Sequence, residues 1–166
     1  FNAEVELLVI HNISLPPSQF CNDNVELFFQ NKLRWDAHPY FQTIKGVEVS
    51  SHFLIKRDGS IVQFVGCDKR AWHAGESHFC GRENCNDYSI GVELEGTDDL
   101  PYEVVQYESL VSLTMALKHA FPRINDQIVG HCDIAPGRKT DPGPSFDWRY
   151  YRALLEEGKG RQSADL

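Results

Sequence analysis

Residues 104–121 constrain this chain more than any other segment. Val104, Tyr107, Val111, Thr114, Leu117 and Phe121 recur at helical spacing, so they share one face of a helix that Pro122 must end. Asp98, Asp99 and Pro101 mark its start, where acidic side chains suit the positive end of the helix dipole. Short β-patterned runs lie on both sides. Residues 89–96 read S-I-G-V-E-L-E-G, so Ile90, Val92 and Leu94 share one face of a strand, while Gly91, Glu93 and Glu95 share the other. A half-exposed strand is expected, and Gly91 would let another group approach its backbone closely. Residues 124–129 form a further β-rich run leading into His131.

The remainder continues the interleaving. Residues 5–10 are a short apolar, β-branched run ending at His11. Val25, Phe28, Phe29 and Leu33 lie at helical spacing, residues 34–50 read as irregular with a turn at His38-Pro39, and two β-rich runs joined by Asp58-Gly59 form a hairpin. Residues 147–157 read as a last short helix. Strands alternating with helices predict an α/β fold: a single domain with a central mixed β-sheet flanked by α-helices over residues 1–157, then a mobile tail over 158–166. The start at Phe1, without an initiator methionine, is read as an N-terminus that has been trimmed.

Composition matters here for what it excludes. A formal net charge of −8 with no basic block disfavours nucleic acid as a partner. No apolar run approaches the roughly 20 residues of a membrane span. The cysteines Cys21, Cys67, Cys80, Cys85 and Cys132 are odd in number and include no C-x-x-C pair, which argues against a disulfide framework. Cys80 and Cys85 could pair if oxidised; reduced thiols are the expected state.

The chemistry concentrates in residues 130–143, G-H-C-D-I-A-P-G-R-K-T-D-P-G, where Pro136, Gly137 and Pro142 forbid a long helix and imply an ordered polar loop. His11 and His131, each at a strand end, together with Asp141 would supply the three ligands of a catalytic zinc site. His38, His52, His73, His78 and His119 are rivals, with His78 and His119 the weakest. Strand parity cannot choose between Glu93 and Glu95 as an acid/base group.

Long stretches then point further. L-L-V-I-H-N-I-S-L-P-P, S-S-H-F-L-I-K-R-D-G, D-K-R-A-W-H-A-G, C-N-D-Y-S-I-G-V-E-L-E-G-T-D and G-H-C-D-I-A-P-G-R-K-T-D-P-G-P-S-F-D-W resemble, in order, the zinc-dependent N-acetylmuramoyl-L-alanine amidases, and within them the cytosolic 1,6-anhydro-N-acetylmuramyl-L-alanine amidases. Gly137 stands where many relatives carry glutamate. The resemblance implies His11, His131 and Asp141 as zinc ligands, Glu93 as general base and Lys139 as the group facing the oxyanion. It also implies an anhydro-muropeptide substrate, a role in peptidoglycan recycling and thereby in β-lactamase induction, a cytoplasmic location and a monomer. Asn12, Trp72, His73 and Arg138 are the candidates for lining the substrate groove. A non-catalytic peptidoglycan-recognition module and an envelope amidase cutting intact peptidoglycan are the rival readings.

Overall fold

The computed structural model describes residues 4–164 and places five strands in one sheet. In chain order these are β1 (Leu7–Ile13), β2 (Phe53–Ile55), β3 (Ile61–Gln63), β6 (Ser89–Glu95) and β7 (Ile128–Gly130). Two further strands, β4 (His78–Phe79) and β5 (Arg82–Glu83), make a small separate hairpin. The sheet order is β3-β2-β6-β1-β7; β1 runs parallel to β6 and β7, β2 runs parallel to β6, and β3 turns back antiparallel to β2. The mixed sheet expected from the alternation of elements is therefore present, as is the hairpin at Asp58-Gly59, where Gly59 takes φ +83°.

The two faces of the sheet are covered differently. Leu8 and Ile10 of β1 and Ile90, Val92 and Leu94 of β6 pack with Leu110 and Leu117 of α3 (Val104–Ala120) and with Tyr151 and Leu155 of α5 (Trp148–Ala164). Each such buried side chain contributes about 1.5–3 kcal/mol through removal from water. Gln106 of α3, fully buried, donates to the carbonyls of Ile55 and Glu95 and so ties the helix to two strands. The opposite face carries two smaller apolar clusters. One joins Leu54 to Val25, Phe28 and Phe29 of α1 (Asn24–Phe29) and Phe41 of α2 (Pro39–Thr43); the other joins Leu7, Val9, Ala74, Tyr88 and Ile134. Polar groups of β1 and β6 occupy the ground between them.

Several expectations are corrected. Every residue of β6 is buried, so the half-exposed strand is replaced by one covered on both faces, as a strand with parallel neighbours on each side requires. Residues 34–50 contain α2, with His38 Nδ1 accepting the Tyr40 N–H as its cap. The helix expected over 25–33 stops at Phe29. Residues 131–134 of the polar loop form the one-turn helix α4 (His131–Ile134). Asp98 and Asp99 do not open α3, which begins at Val104. The last helix continues to Ala164 instead of ending near 157; residues 165 and 166 of the expected tail, and residues 1–3 at the expected trimmed end, lie outside the described residues. All five cysteines are free thiols. Among the described residues no helix is long and apolar enough to cross a membrane.

Candidate metal centre

Strand register assembles the site. His11 of β1 is paired with Glu93 of β6, and Ile10 with Gly130 of β7, so His11 and Glu93 stand at one level on adjacent strands and His131 follows directly where β7 passes into α4. The alternation that points Leu8 and Ile10 toward α3 and α5 points His11 to the other face. Asp141 arrives from the loop after α4, which is folded back by a hydrogen bond from Cys132 N to the Asp141 carbonyl, 3.0 Å. Asp98 secures the same loop: its carboxylate accepts from Asn12 Nδ2 at 2.8 Å and from Thr140 Oγ1 at 2.5 Å. Gly143, at φ +80°, packs directly on it; a Cβ there would lie 2.3 Å from Asp98 Cα, so no larger residue fits.

Three ligand atoms converge as a result. His11 Nδ1 and His131 Nδ1 are 3.0 Å apart, and Asp141 Oδ2 lies 3.1 and 3.2 Å from them. Four ligands at zinc's 2.0–2.1 Å would sit about 3.3–3.4 Å apart on a tetrahedron, so the spacing suits such an ion. The donor chemistry suits it too. His131 Nε2 is 2.9 Å from the Ala74 carbonyl, which can only accept, so the ring proton resides on Nε2 and a neutral ring presents a lone pair at Nδ1. Burial lowers the His11 pKa to about 4 against the opposing pull of Asp141, with His131 lowering it further, so the ring is neutral at pH 7. Burial alone would raise the Asp141 carboxyl, but its contacts with the His11 and His131 rings outweigh it and hold the group well below the usual carboxylate range. Two imidazoles and one carboxylate face one another, and a divalent cation is what such a donor set accepts.

Glu93 stands beside this trio with Oε1 4.0 Å from His11 Nδ1. Burial first, and then the Asp141 charge, push its pKa well above the ordinary value, while Lys139 pulls it back. Its Oε2 is buried without a hydrogen-bond partner among the described residues. An orphaned carboxylate oxygen beside a cation site is suited to exchanging a proton with something bound there. Glu95 is different in kind: its Oε1 accepts the Cys21 N–H, which commits it to the loop after β1.

The site forms the floor of a groove of about 840 Å³, with Trp72, Tyr40 and Val47 among its walls and Lys139 and Thr140 at its rim. Trp72 is 58 % exposed, and the Arg70 guanidinium lies 3.8 Å from its ring centroid. Asn12, His73 and Arg138 line the groove too, each held by contacts within the protein. Asn12 gives its amide hydrogens to Asp98 and the Pro142 carbonyl. Arg138 donates to the carbonyls of Ala74 and Glu76, pinning the two loops together. His73 is largely buried there, with its Nδ1 2.9 Å from His11 Nε2.

The rival histidines are accounted for separately. His52 is a satisfied core residue, accepting from Gly91 N and bonded to the Lys69 carbonyl; His38 caps α2; His78 and His119 are exposed. Sequence reasoning missed Asp98, Ser89 and Asn86 as supports of the site. The T-D pair after the glutamate strand was the available signal for Asp98; Ser89 and Asn86 carried none.

A family model described as N-acetylmuramoyl-L-alanine amidase matches residues 1–144. The 1,6-anhydro-N-acetylmuramyl-L-alanine amidase AmpD of Salmonella typhimurium is 56% identical over 149 residues, covering 90% of this chain and 80% of that protein. A crystal structure of a selenomethionine AmpD derivative superposes with a TM-score of 0.90 at 53% identity, covering 93% of this chain and 89% of that one. The N-acetylmuramyl-L-alanine amidase AmiD from E. coli, solved with the substrate anhydro-N-acetylmuramic acid-L-Ala-D-gamma-Glu-L-Lys, gives 0.66 at 28% identity over 92% of this chain and 58% of that one. The chain belongs to the N-acetylmuramoyl-L-alanine amidase family.

Proposed function

We propose that this amidase-family chain is a zinc-dependent hydrolase of the amide bond between the lactyl group of 1,6-anhydro-N-acetylmuramic acid and L-alanine in muropeptides. It acts in peptidoglycan recycling in the cytoplasm, and thereby on β-lactamase induction. The observation that carries this reading is the convergence of His11, His131 and Asp141 beside the unpartnered Glu93 carboxylate at the floor of an open groove. The substrate is supported by the AmpD relatives and by the muropeptide bound to AmiD. Five free thiols, with Cys21 and Cys80 exposed, suit a reducing compartment. All of the proposed machinery comes from one copy of the chain, so a monomer suffices.

His11, His131 and Asp141 would hold the ion, and the two neutral rings and one carboxylate leave the loaded site a net positive charge. Zinc bound there supplies Lewis acidity, which polarises a carbonyl and acidifies water toward a pKa of ~7. Glu93 takes a proton from the attacking water as the new carbon–oxygen bond forms. It releases that proton to the alanine nitrogen as the carbon–nitrogen bond breaks. Its raised affinity for a proton matches both halves of this exchange. Lys139, at the rim of the groove, faces the carbonyl oxygen as negative charge gathers on it; one preorganised donor of this kind is worth about 2.7–4 kcal/mol.

The test is hydrolysis of an anhydro-muropeptide, its reducing-end counterpart and whole sacculi, with and without a chelator, followed by product mass. The expected result is free anhydro-N-acetylmuramic acid and intact peptide, lost on chelation and restored by zinc. Cleavage of sacculi in preference to the soluble muropeptide would make it an envelope amidase, and binding without cleavage would make it a recognition module.

A further inference from the structure

We propose that His73 and Ser89 form a hydrogen-bond relay that fixes which nitrogen of His11 carries its proton, and thereby sets the zinc affinity of the site. This rests on the reading that His11 is a ligand, and it gives His73 a positioning role.

The relay can be followed from its far end, where the roles are unambiguous. The Cys85 carbonyl can only accept, and Ser89 Oγ is 2.5 Å from it, so the serine hydrogen is spent there. Ser89 Oγ must therefore accept from His73 Nε2, 3.1 Å away, which places the His73 proton on Nε2. A neutral His73 then offers a lone pair at Nδ1, and this nitrogen is 2.9 Å from His11 Nε2. His11 must donate across that contact. Its proton resides on Nε2, and the lone pair of Nδ1 points at His131 Nδ1 and Asp141 Oδ2. Three bonds thus carry the polarity of one backbone carbonyl to the ligand atom.

The surroundings hold the relay in register. Asn86 Oδ1 accepts both the His73 and the Ala74 backbone N–H, at 3.0 and 2.8 Å. The same clamp aims the Ala74 carbonyl at His131 Nε2, so one short segment orients both histidines. Gly91 supplies the room: a Cβ at that position would lie 2.5 Å from His73 Cγ. Ring partners behind a metal-binding histidine typically change metal affinity by about 10–100-fold when removed.

Zinc affinity of the whole chain, measured by competition with a chromogenic chelator, tests the relay together with ring-nitrogen NMR of the zinc-loaded protein. His73→Leu should weaken zinc binding by about 10–100-fold. His73→Asn, whose Oδ1 replaces the Nδ1 acceptor, should recover most of that loss, and Ser89→Ala should cause a smaller loss than His73→Leu. In the wild-type protein His73 should carry its proton on Nε2. Should the leucine variant fail to fold, the serine variant and the wild-type spectrum decide. Unchanged affinity in Ser89→Ala and His73→Leu, or a His73 proton on Nδ1, would overturn the relay while leaving the metal centre standing. A wild-type chain that takes up no zinc at all would overturn the metal centre itself, and the relay with it.

Discussion

Ile10 and His11 are chain neighbours in one strand, and they belong to two different parts of the molecule. Ile10 faces the large core under α3 and α5, where Leu8 and Ile10 of β1 pack with Ile90, Val92 and Leu94 of β6. His11 faces the other side, where β1 gives Leu7, Val9 and His11 and β6 gives Ser89, Gly91, Glu93 and Glu95. The first face holds the sheet to its helices. The second is only partly apolar, and its polar residues are satisfied by one another or left facing the groove. A strand of period two can serve both purposes because a change on one face leaves the other in place.

The comparison makes its sharpest claim at His11 itself. His11→Ala should lower turnover by on the order of 10³-fold or more, the scale seen when one member of an interdependent catalytic set is lost. Zinc content should fall with it, while far-ultraviolet circular dichroism stays unchanged; a variant that turned over substrate normally without metal would break the distinction between the faces. Glu93→Gln should keep zinc and lose about 10²–10⁴-fold in rate, the usual share of a general acid/base. Glu95→Gln, measured in parallel, should retain far more activity, and equal losses would undo the assignment to Glu93.

On the core face the same strand should respond in the opposite way. Ile10→Val should cost about 0.5–1.5 kcal/mol in denaturant unfolding and leave the rate per folded molecule intact. A rate loss larger than the stability loss would mean that the faces are coupled.

The smallest effect concerns pH. In metal-free protein the folded state holds the Glu93 proton more tightly than the unfolded chain does, because burial and Asp141 raise its pKa. A folded state that binds more protons loses stability as pH rises, here from about 4.5 up to the raised pKa. Metal-free Glu93→Gln should therefore melt higher than metal-free wild type at pH 8, with the gap closing toward pH 4. Thermal melts across that range give the sign directly, and a variant that melts lower at pH 8 would contradict it.

Much of the fold was legible where local patterns and tertiary demands agree. The face from Tyr107 through Thr114 to Leu117 fixes α3, and Asp58-Gly59 fixes the hairpin. What escaped depends on contacts between distant segments. The burial of both faces of β6 follows from its place between β1 and β2, which no local pattern encodes. Asp98 looks like a helix-start residue until Asn12 and Thr140 claim its carboxylate. The metal-site residues could be named through resemblance, yet the reason they meet is register. Pairing of His11 with Glu93, and of Ile10 with Gly130, becomes visible only in the assembled sheet. His73 shows the same limit, since nothing local in W-H-A-G tells that Gly91 makes room for a ring in contact with His11.

The pairing of His11 with Glu93 on adjacent parallel strands has a consequence for how such a protein can change. The separation between the His11 and Glu93 backbones is set by the pitch of the ladder, about 4.8 Å, and not by any loop. The walls at Tyr40 and Val47 belong to connections outside the sheet. Reaction and recognition are thus inherited separately. Exchanging those connections for segments of other length or composition would redirect the catalyst to a different amide while leaving its hydrolytic step untouched.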